Sequence, residues 1–330
     1  MRRFQVYGLS IASEFDLLLP EDSDAAPPAI TITRAHPDFF NAFLAKAMPT
    51  DHRKSYRYET FPDGSSYLSW NNLFDFFIGT DGRTMICGPR ADAFSEAYIS
   101  YLVSFALSFA LLRMGDEALH ATVITSKDEA IGLLGKSGAG KSTLASYFLE
   151  NGSRLVTDDL LRVTFRDQSV IAHPGPQRIK LLPESAAQFM QGATIAMIPF
   201  TMKRLIVPAA DQRIDKSVPL RALYLLDCFE VDKSNSVRAE RLRSGEATLT
   251  VIASTFNNIV KTPERLARQL RFAGHLLSKI PVFRLSYPRR FDVLSSVFDL
   301  IADGGAARDG VGVRGGATFD NAFPAARSMG

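Results

Sequence analysis

The 330-residue chain contains little cysteine. Its two cysteines, Cys87 and Cys228, lie far apart and form no CxxC pair. Cysteine this sparse argues against a disulfide-stapled secreted domain and a structural zinc site, and it favours a reducing compartment. The chain also lacks excess charge, because 38 Lys and Arg residues against 35 Asp and Glu residues leave a net charge of +3. A charge this small argues against nucleic acid or a membrane surface as a partner.

Hydrophobic runs long enough to span a membrane are also missing. The one tempting stretch, AYISYLVSFALSFALL at 97–112, has 16 residues, and Glu96 and Arg113 bracket it closely. A helix needs roughly 20 apolar residues to cross a bilayer, so we expect a buried core helix here. The N-terminal MRRFQVYGLS lacks the apolar segment of a signal peptide. The protein is therefore predicted to be cytoplasmic, with no membrane partner.

The residue pattern changes along the chain. The first part is β-rich in character: AITITR alternates apolar and polar residues, and Asp-Gly pairs in FPDGSS and GTDGRT predict hairpins. Later, buried strands such as AIGLLG alternate with helical patterns such as PERLARQLRFAGHLL, which indicates an α/β layer. The glycine-rich C-terminal stretch has little periodicity and is predicted to be disordered. The predicted organisation is a β-rich domain over 1–90, a core or linking helix over 91–114, an α/β domain over 115–303 and a disordered tail over 304–330.

A phosphate-binding loop is the strongest motif. The stretch GLLGKSGAGKSTLA matches G-x-x-x-x-G-K-[ST], follows an apolar strand and precedes a helical pattern. Its glycines let backbone N–H groups converge on phosphate oxygens, and the following helix adds its positive end. Lys141 is predicted to neutralise the β- and γ-phosphates of ATP, and the Ser142 hydroxyl to bind Mg²⁺. The predicted nucleotide-binding residues are Gly135, Lys136, Ser137, Gly138, Ala139, Gly140, Lys141, Ser142 and Thr143.

Two adjacent carboxylates follow the loop, in RLVTDD. Asp158 and Asp159 come directly after a short apolar strand that we expect beside the strand of the phosphate loop. One carboxylate would suffice to hold Mg²⁺, and the second can accept a proton from an incoming hydroxyl. The alternative reading is a solvated turn. The chain has no Asn-Lys-x-Asp element and no transporter signature region, which argues against a GTPase and a transporter ATPase.

These motifs together resemble the catalytic domain of bacterial HPr kinase/phosphorylase. LHA at His120, the loop ending in Lys141 and Ser142, and RLVTDD occur at that family's intervals. The resemblance implies an HPr-kinase-like P-loop domain over 115–303, of the type shared with phosphoenolpyruvate carboxykinase. It also implies that Asp159 accepts the serine proton, that Asp158 and Ser142 hold Mg²⁺, and that His120 lies near the transferred phosphate. HPr kinases are typically hexameric, so a homo-oligomer is a further expectation.

The chain departs from the family in its second signature. Where the family has a Glu-Arg-Gly core with a metal-binding Glu, this chain reads HPGPQRIKLLPES and offers Gln177 and Arg178. The neutral Gln177 is a weaker ligand for a hard cation. Arg178 keeps a charge that can stabilise a transferring phosphoryl group. The kinase activity is therefore favoured over the hydrolytic phosphorylase activity.

Three further stretches resemble a divergent branch, the HPr-kinase-like proteins encoded with lasso peptide precursors. They are YGLSIASEFDLLLP, HPGPQRIKLLPES and KIPVFRLSYPRRFD. This resemblance implies ATP-dependent phosphorylation of the C-terminal serine of a precursor peptide. The alternatives are a kinase of HPr itself or of a small hydroxylated metabolite, and a nucleotide-dependent peptide-binding module without catalysis. The adjacent aspartates favour an enzyme, because a sensor needs no second carboxylate.

Overall fold

The computed structural model describes residues 1–45, 56–70, 74–89, 96–190, 194–197, 202–229 and 236–302. This part of the chain is a mixed α/β protein with two large sheets and a small three-stranded one. The predicted disordered tail, 304–330, and the start of the predicted helix at 91–114 lie outside the described residues.

The N-terminal part forms a twisted sheet of seven described strands. They are β1 (Arg2–Val6), β2 (Leu9–Ser13), β3 (Ile30–Arg34), β4 (Tyr56–Thr60), β5 (Ser66–Trp70), β6 (Phe74–Ile78) and β7 (Thr84–Pro89). The strand order is β1-β2-β3-β7-β6-β5-β4, and the short helix α1 (Asn41–Ala45) follows β3. Both predicted Asp-Gly turns join antiparallel neighbours, β4 to β5 and β6 to β7.

The apolar stretch of the sequence packs against this sheet. It forms α2 (Glu96–Tyr101), a π-helical turn (Leu102–Ala106) and α3 (Leu107–Arg113). Side chains of all three segments are buried in one cluster with strand residues such as Phe76. Within the described residues, every helix is too short or too polar to cross a bilayer.

The rest of the chain builds a second large sheet, a three-stranded sheet and their covering helices. The strands of the large sheet are β8 (Leu119–Ser126), β9 (Glu129–Leu134), β10 (Leu155–Thr157), β11 (Leu160–Leu161), β12 (Val163–Arg166), β13 (Ser169–Ala172), β17 (Val218–Phe229), β18 (Arg238–Arg241) and β19 (Val282–Pro288). Those of the small sheet are β14 (Ile179–Leu181), β15 (Thr194–Met197) and β16 (Arg204–Ile206). The helices are α4 (Lys141–Glu150), α5 (Pro183–Phe189), α6 (Ser244–Ala253), α7 (Pro263–Leu277) and α8 (Leu294–Ala302).

One edge of the large sheet gathers the chain segments that carry the predicted site. β9 runs parallel to β17 and antiparallel to β8. The end of β9, the end of β17 and the start of β8 therefore share one edge of the sheet. The phosphate loop follows β9, and His120 lies at the start of β8.

The predicted neighbour of the loop strand was wrong. The strand before Asp158 and Asp159, β10, pairs with β8 and not with β9. The reason is the tight β8–β9 hairpin, in which β8 itself occupies that side of β9. Because β10 is antiparallel to β8, its end still reaches the edge that carries the loop.

A close seam joins the N-terminal part to the large sheet. The backbone N–H of Tyr7 donates to the Pro174 carbonyl at 2.7 Å, and Arg162 donates to the Tyr7 carbonyl at 3.0 Å. A Cβ on Gly175 would lie 2.0 Å from the Thr157 Oγ1 and 2.8 Å from the Tyr7 ring. Thr157 and Tyr7 are both buried. This seam therefore requires glycine at position 175.

We expect Gly175→Ala to lower the free energy of unfolding by about 1–3 kcal/mol, since the added methyl overpacks a buried seam. Gly274→Ala is the matched control, because Gly274 is exposed in α7 and a Cβ there meets nothing within 4 Å. That control should gain about 0.5–1 kcal/mol from helix propensity. Urea unfolding followed by circular dichroism measures both, and equal stabilities for the two variants would contradict the seam.

Candidate functional site

The phosphate loop is held in shape by glycine conformations and by its lysine. Gly135, Gly138 and Gly140 have φ values of 146°, 84° and 90°, in the region that favours glycine. The Lys141 ammonium donates to the carbonyls of Gly135 at 2.7 Å and of Lys136 at 3.3 Å. Burial lowers the pKa of Lys141. The lysine is thus folded over the loop, at the place where phosphate oxygens would compete for it.

Asp158 joins the loop to the edge of the sheet. Its Oδ1 accepts from the Thr122 hydroxyl at 2.7 Å and from the Ser142 hydroxyl at 3.3 Å. Its Oδ2 accepts from the backbone N–H of Lys180 at 2.9 Å. Burial and the charge of Asp159 raise the pKa of Asp158. Three donors nevertheless hold the carboxylate in one orientation, facing Ser142.

The pairing of Ser142 with Asp158 fits a magnesium ion. Hydroxyl and carboxylate oxygens are the hard ligands that Mg²⁺ takes, and the two oxygens are close enough to share one ion. The described residues contain no group of three His, Cys, Asp or Glu side chains that could hold a metal alone. A Mg²⁺ site here would need further oxygens, which nucleotide phosphates and water supply in kinases.

Asp159 occupies an unusual backbone conformation. Its φ of 78° is left-handed, which few residues other than Gly, Asn and Asp adopt readily. Such strained positions cluster at functional sites, where the surroundings fix a side chain in place. The Asp159 carboxylate forms an ion pair with the Lys180 ammonium. Burial alone would raise the pKa of Asp159, but the charge and the hydrogen bond of Lys180, together with other nearby cations, lower it to about 2.

His120 lies on β8, beside the two aspartates. Its backbone N–H donates to the Ser254 carbonyl at 2.7 Å, and its ring centroid is 5.3 Å from that of Phe256. Burial and the charge of Lys141 lower the pKa of His120 to about 4. The imidazole is therefore neutral at pH 7. It is better suited to act as a neutral hydrogen-bonding group than as a cation that binds phosphate.

Arg178 points toward the N-terminal part of the chain. Its guanidinium donates to the carbonyls of Leu17 at 2.9 Å and Leu18 at 2.8 Å, and the side chain is buried. Gln177 bonds to the backbone, donating to the Gly175 carbonyl at 3.0 Å and accepting from the Ile214 N–H at 3.3 Å. The contacts of both side chains are thus with main chain. The predicted role of Arg178 in phosphoryl transfer stays a prediction.

Sequence reasoning missed Lys180. This residue lies in β14, where the flanking Ile179 and Leu181 are buried and strand alternation turns Lys180 to the opposite face. Its ammonium pairs with Asp159 and lies 5.9 Å from the centroid of the Tyr101 ring. Despite burial, the charge of Asp159 raises the pKa of Lys180. A lone lysine in the apolar run IKLL was the available signal.

Two cavities flank the phosphate loop at this edge. The cavity on the β17–β19 side has a volume of about 610 Å³, and its lining includes Gly138, Ala139, Leu226, Cys228, Arg284 and Arg289. Within it, the Arg289 guanidinium donates to the Gly138 carbonyl at 3.1 Å. The cavity on the His120 side has a volume of about 420 Å³, and its lining includes His120, Lys136, Leu225, Ala253, Phe256 and Asn258.

Known proteins similar to this chain are HPr kinase/phosphorylases. The protein of that name from Limosilactobacillus reuteri (strain DSM 20016) is 31% identical over 86 residues, 26% of this chain and 27% of its own length. That from Bacillus pumilus (strain SAFR-032) is 34% identical over 67 residues, 20% of this chain and 22% of its own length. The chain is their distant relative. The similarity spans about a quarter of the length of these curated relatives.

No protein-family model matches the chain. Among solved structures, the Hpr(Ser) kinase/phosphatase from Coxiella burnetii aligns with 57% of this chain and 95% of its own, at 12% identity. Its TM-score is 0.31. The link to this group of kinases therefore rests on the sequence matches.

Lys180→Gln should destabilise the protein in a pH-dependent way. The lowered pKa of Asp159 stabilises the folded state above the usual carboxylate pKa of about 4, and this stabilisation is lost as pH falls further. The raised pKa of Lys180 stabilises it below the usual lysine pKa of about 10.4. The difference in melting temperature from wild type should therefore be largest between these values and narrow below about pH 4.

Lys216→Gln is the control for that measurement, since Lys216 is exposed. Its melting temperature should stay near that of wild type across the pH range. A constant difference for Lys180→Gln from neutral pH down to pH 3 would contradict the ion-pair explanation.

Proposed function

We propose that the protein is an ATP-dependent kinase that phosphorylates a serine hydroxyl. The observation that carries the proposal is the contact between Ser142 of the phosphate loop and Asp158, at 3.3 Å, with Asp159 as the next residue. A pair of oxygen ligands suited to a metal and a second carboxylate thus lie side by side at the loop. A protein that only senses a nucleotide has no need of the second carboxylate. Distant similarity to HPr kinase/phosphorylases supports the same reaction class.

Lys141 and Ser142 would receive the phosphates of ATP. The Lys141 ammonium exchanges its loop carbonyls for phosphate oxygens, since it is already placed over the loop. Ser142 and Asp158 would hold Mg²⁺, which when bound neutralises charge on the phosphates and orients them. Thr122 keeps Asp158 in position through its hydrogen bond. These groups supply placement and charge neutralisation, which dominate phosphoryl transfer.

Asp159 would act as the general base. The serine oxygen forms a bond to the γ-phosphorus while the bond from that phosphorus to the β–γ bridging oxygen breaks, and ADP leaves. Asp159 takes the proton of the serine hydroxyl, a role worth about 10²- to 10⁴-fold in rate. His120 is neutral at pH 7 and can donate a hydrogen bond beside the transferred group without repelling Lys141.

Lys180 would control when Asp159 can act. While paired with Lys180, the Asp159 carboxylate is a weak base, because the ion pair holds its pKa low. An arriving γ-phosphate would offer the ammonium a second anionic partner. Movement of Lys180 toward the phosphate would neutralise the transferring group and raise the basicity of Asp159. The same lysine thus serves both partners of the reaction.

The serine acceptor is proposed to be the C-terminal residue of a lasso peptide precursor. The support is the likeness of three stretches, including HPGPQRIKLLPES, to the kinases encoded with such precursors. HPr and small hydroxylated metabolites are the competing acceptors. Homo-oligomer formation, which the HPr kinase resemblance implies, stays a prediction.

Asp159→Asn should abolish transfer and spare nucleotide binding. Asparagine keeps the left-handed backbone and loses the base, so we expect the rate to fall by about 10²- to 10⁴-fold. Intact-mass spectrometry after incubation with Mg-ATP and a serine-terminated precursor peptide measures transfer, and titration with a fluorescent ATP analogue measures binding. Asp128→Asn is the control, because Asp128 is exposed in the turn at the opposite edge of the sheet. Normal transfer by Asp159→Asn would refute the base assignment.

Lys180→Gln should slow transfer and move the pH profile. Loss of the cation costs about 10²- to 10³-fold in kcat, as for other charge-stabilising donors. Without Lys180, burial raises the pKa of Asp159, so the acidic limb of the rate profile shifts to higher pH. Lys180→Arg keeps a cation and should restore the limb to its wild-type position. An unchanged profile in Lys180→Gln would show that the lysine acts only on stability.

A further inference from the structure

The 420 Å³ cavity beside His120 adjoins the 610 Å³ cavity, with which it shares Gly135, Lys136 and Leu225. It lies between the start of the phosphate loop, at Gly135 and Lys136, and the segment 254–260, which follows α6. Its volume falls in the range typical of ligand sites, about 300–1,000 Å³. Lys141, Ser142 and Asp158, which would hold the phosphates and the metal, are absent from its lining.

The wall of this cavity is built and rigid. Arg265 is buried beneath the segment, where it donates to the carbonyls of Phe256, Asn257 and Val260. Arg265 is itself held by a buried ion pair with Glu117 at 3.1 Å. These charge-assisted hydrogen bonds hold the segment in place on the side that faces Arg265.

Two further contacts hold the same segment. Gln269 donates to the Thr255 hydroxyl at 2.7 Å, and the amide of Asn257 donates to the Ser108 hydroxyl on α3 at 3.0 Å. Asn257 has a φ of 59°, a left-handed conformation that asparagine tolerates. The cavity is therefore preformed, which reduces the ordering cost of binding a ligand.

The position of the cavity relative to the aspartates indicates which reactant it would bind. The strands on either side of Asp158 and Asp159 pair with β8, the strand that carries His120. The transferring phosphate would therefore face the β8 side of the phosphate loop. In-line transfer places the acceptor opposite the leaving group and next to the base. The nucleoside must then leave the loop on the other side, toward the 610 Å³ cavity at Gly138 and Arg289. The His120-side cavity remains for the acceptor.

The lining chemistry narrows the acceptor further. Lys136 contributes a cation, Asn258 an amide, and Leu225, Ala253 and Phe256 contribute apolar surface. Among the described residues that line the cavity, none carries a carboxylate. An acceptor with an anionic end can approach such a surface without repulsion. The apolar residues of the lining suit an apolar group next to that end.

We propose that this cavity binds the serine-bearing end of the acceptor peptide, with its terminal carboxylate toward Lys136. The assignment rests on the proposed kinase function and deepens it. The peptide enters between Phe256 and the loop, and its last hydroxyl reaches the space between His120 and Asp159. A free C-terminus is thereby distinguished from an internal serine.

Binding of a short fluorescein-labelled peptide with a C-terminal serine, in the presence of Mg-ADP, tests the site directly. Ala253→Phe narrows the cavity and should weaken peptide binding by about tenfold or more, a change of about 1.4 kcal/mol. Nucleotide affinity should change by less than about twofold, since Ala253 does not line the 610 Å³ cavity. Amidation of the peptide terminus should weaken binding to wild type by a similar factor, because it removes the partner of Lys136.

Arg289→Ala is the mirror variant, because Arg289 lines the other cavity. It should weaken nucleotide binding and leave peptide affinity nearly unchanged. If Ala253→Phe instead weakens nucleotide binding, or leaves peptide affinity intact, the cavity assignment is overturned while the kinase proposal stands. Peptide binding that obeys these rules without phosphate transfer would overturn the kinase proposal and keep the cavity. A wild-type protein that binds no serine-terminated peptide would overturn the cavity assignment.

Discussion

The site depends on how two adjacent carboxylates share a confined space. Asp158 and Asp159 repel each other, and each therefore needs its own compensation. Asp158 is stabilised by three donors from β8, the loop and β14, and Asp159 by the Lys180 ammonium. The left-handed turn at Asp159 separates the two side chains into these different surroundings. One carboxylate is thereby suited to a metal and the other to a proton.

The N-terminal part takes a direct share in this arrangement. Tyr101, whose ring centroid lies 5.9 Å from the Lys180 ammonium, is the last residue of α2, directly before the π-helical turn. Such turns are often found at functional sites. Arg178 reaches across to the carbonyls of Leu17 and Leu18. Two neighbouring cations therefore have different partners: Lys180, in β14, pairs with Asp159, and Arg178, just before β14, bonds to the N-terminal part. The N-terminal part consequently supports the site as well as covering it.

Local patterns in the sequence predicted much of this fold. Hairpins at both Asp-Gly turns, the helix from Lys141 to Glu150 and the helix from Pro263 to Leu277 agree with the structure, because turn chemistry and hydrophobic period act over a few residues. The position of β10 was predicted wrongly, because β8 pairs with β9 on the side where β10 was expected. Local sequence patterns do not show which strand takes that side. Lys180 was missed for a related reason. Its partner lies 21 residues earlier, and no local pattern in a single sequence records such a pairing.

The backbone at Asp159 has a consequence for how this site can change over evolutionary time. Only glycine, asparagine and aspartate take up a left-handed conformation at little cost, so few residues can occupy this position in a stable protein. Asparagine is the replacement that retains both the conformation and the size of the side chain. The substitution that disturbs the backbone least would thus remove the proposed base while leaving the proposed nucleotide and peptide sites in place. Under the proposed function, a single base change at this codon could separate binding from transfer.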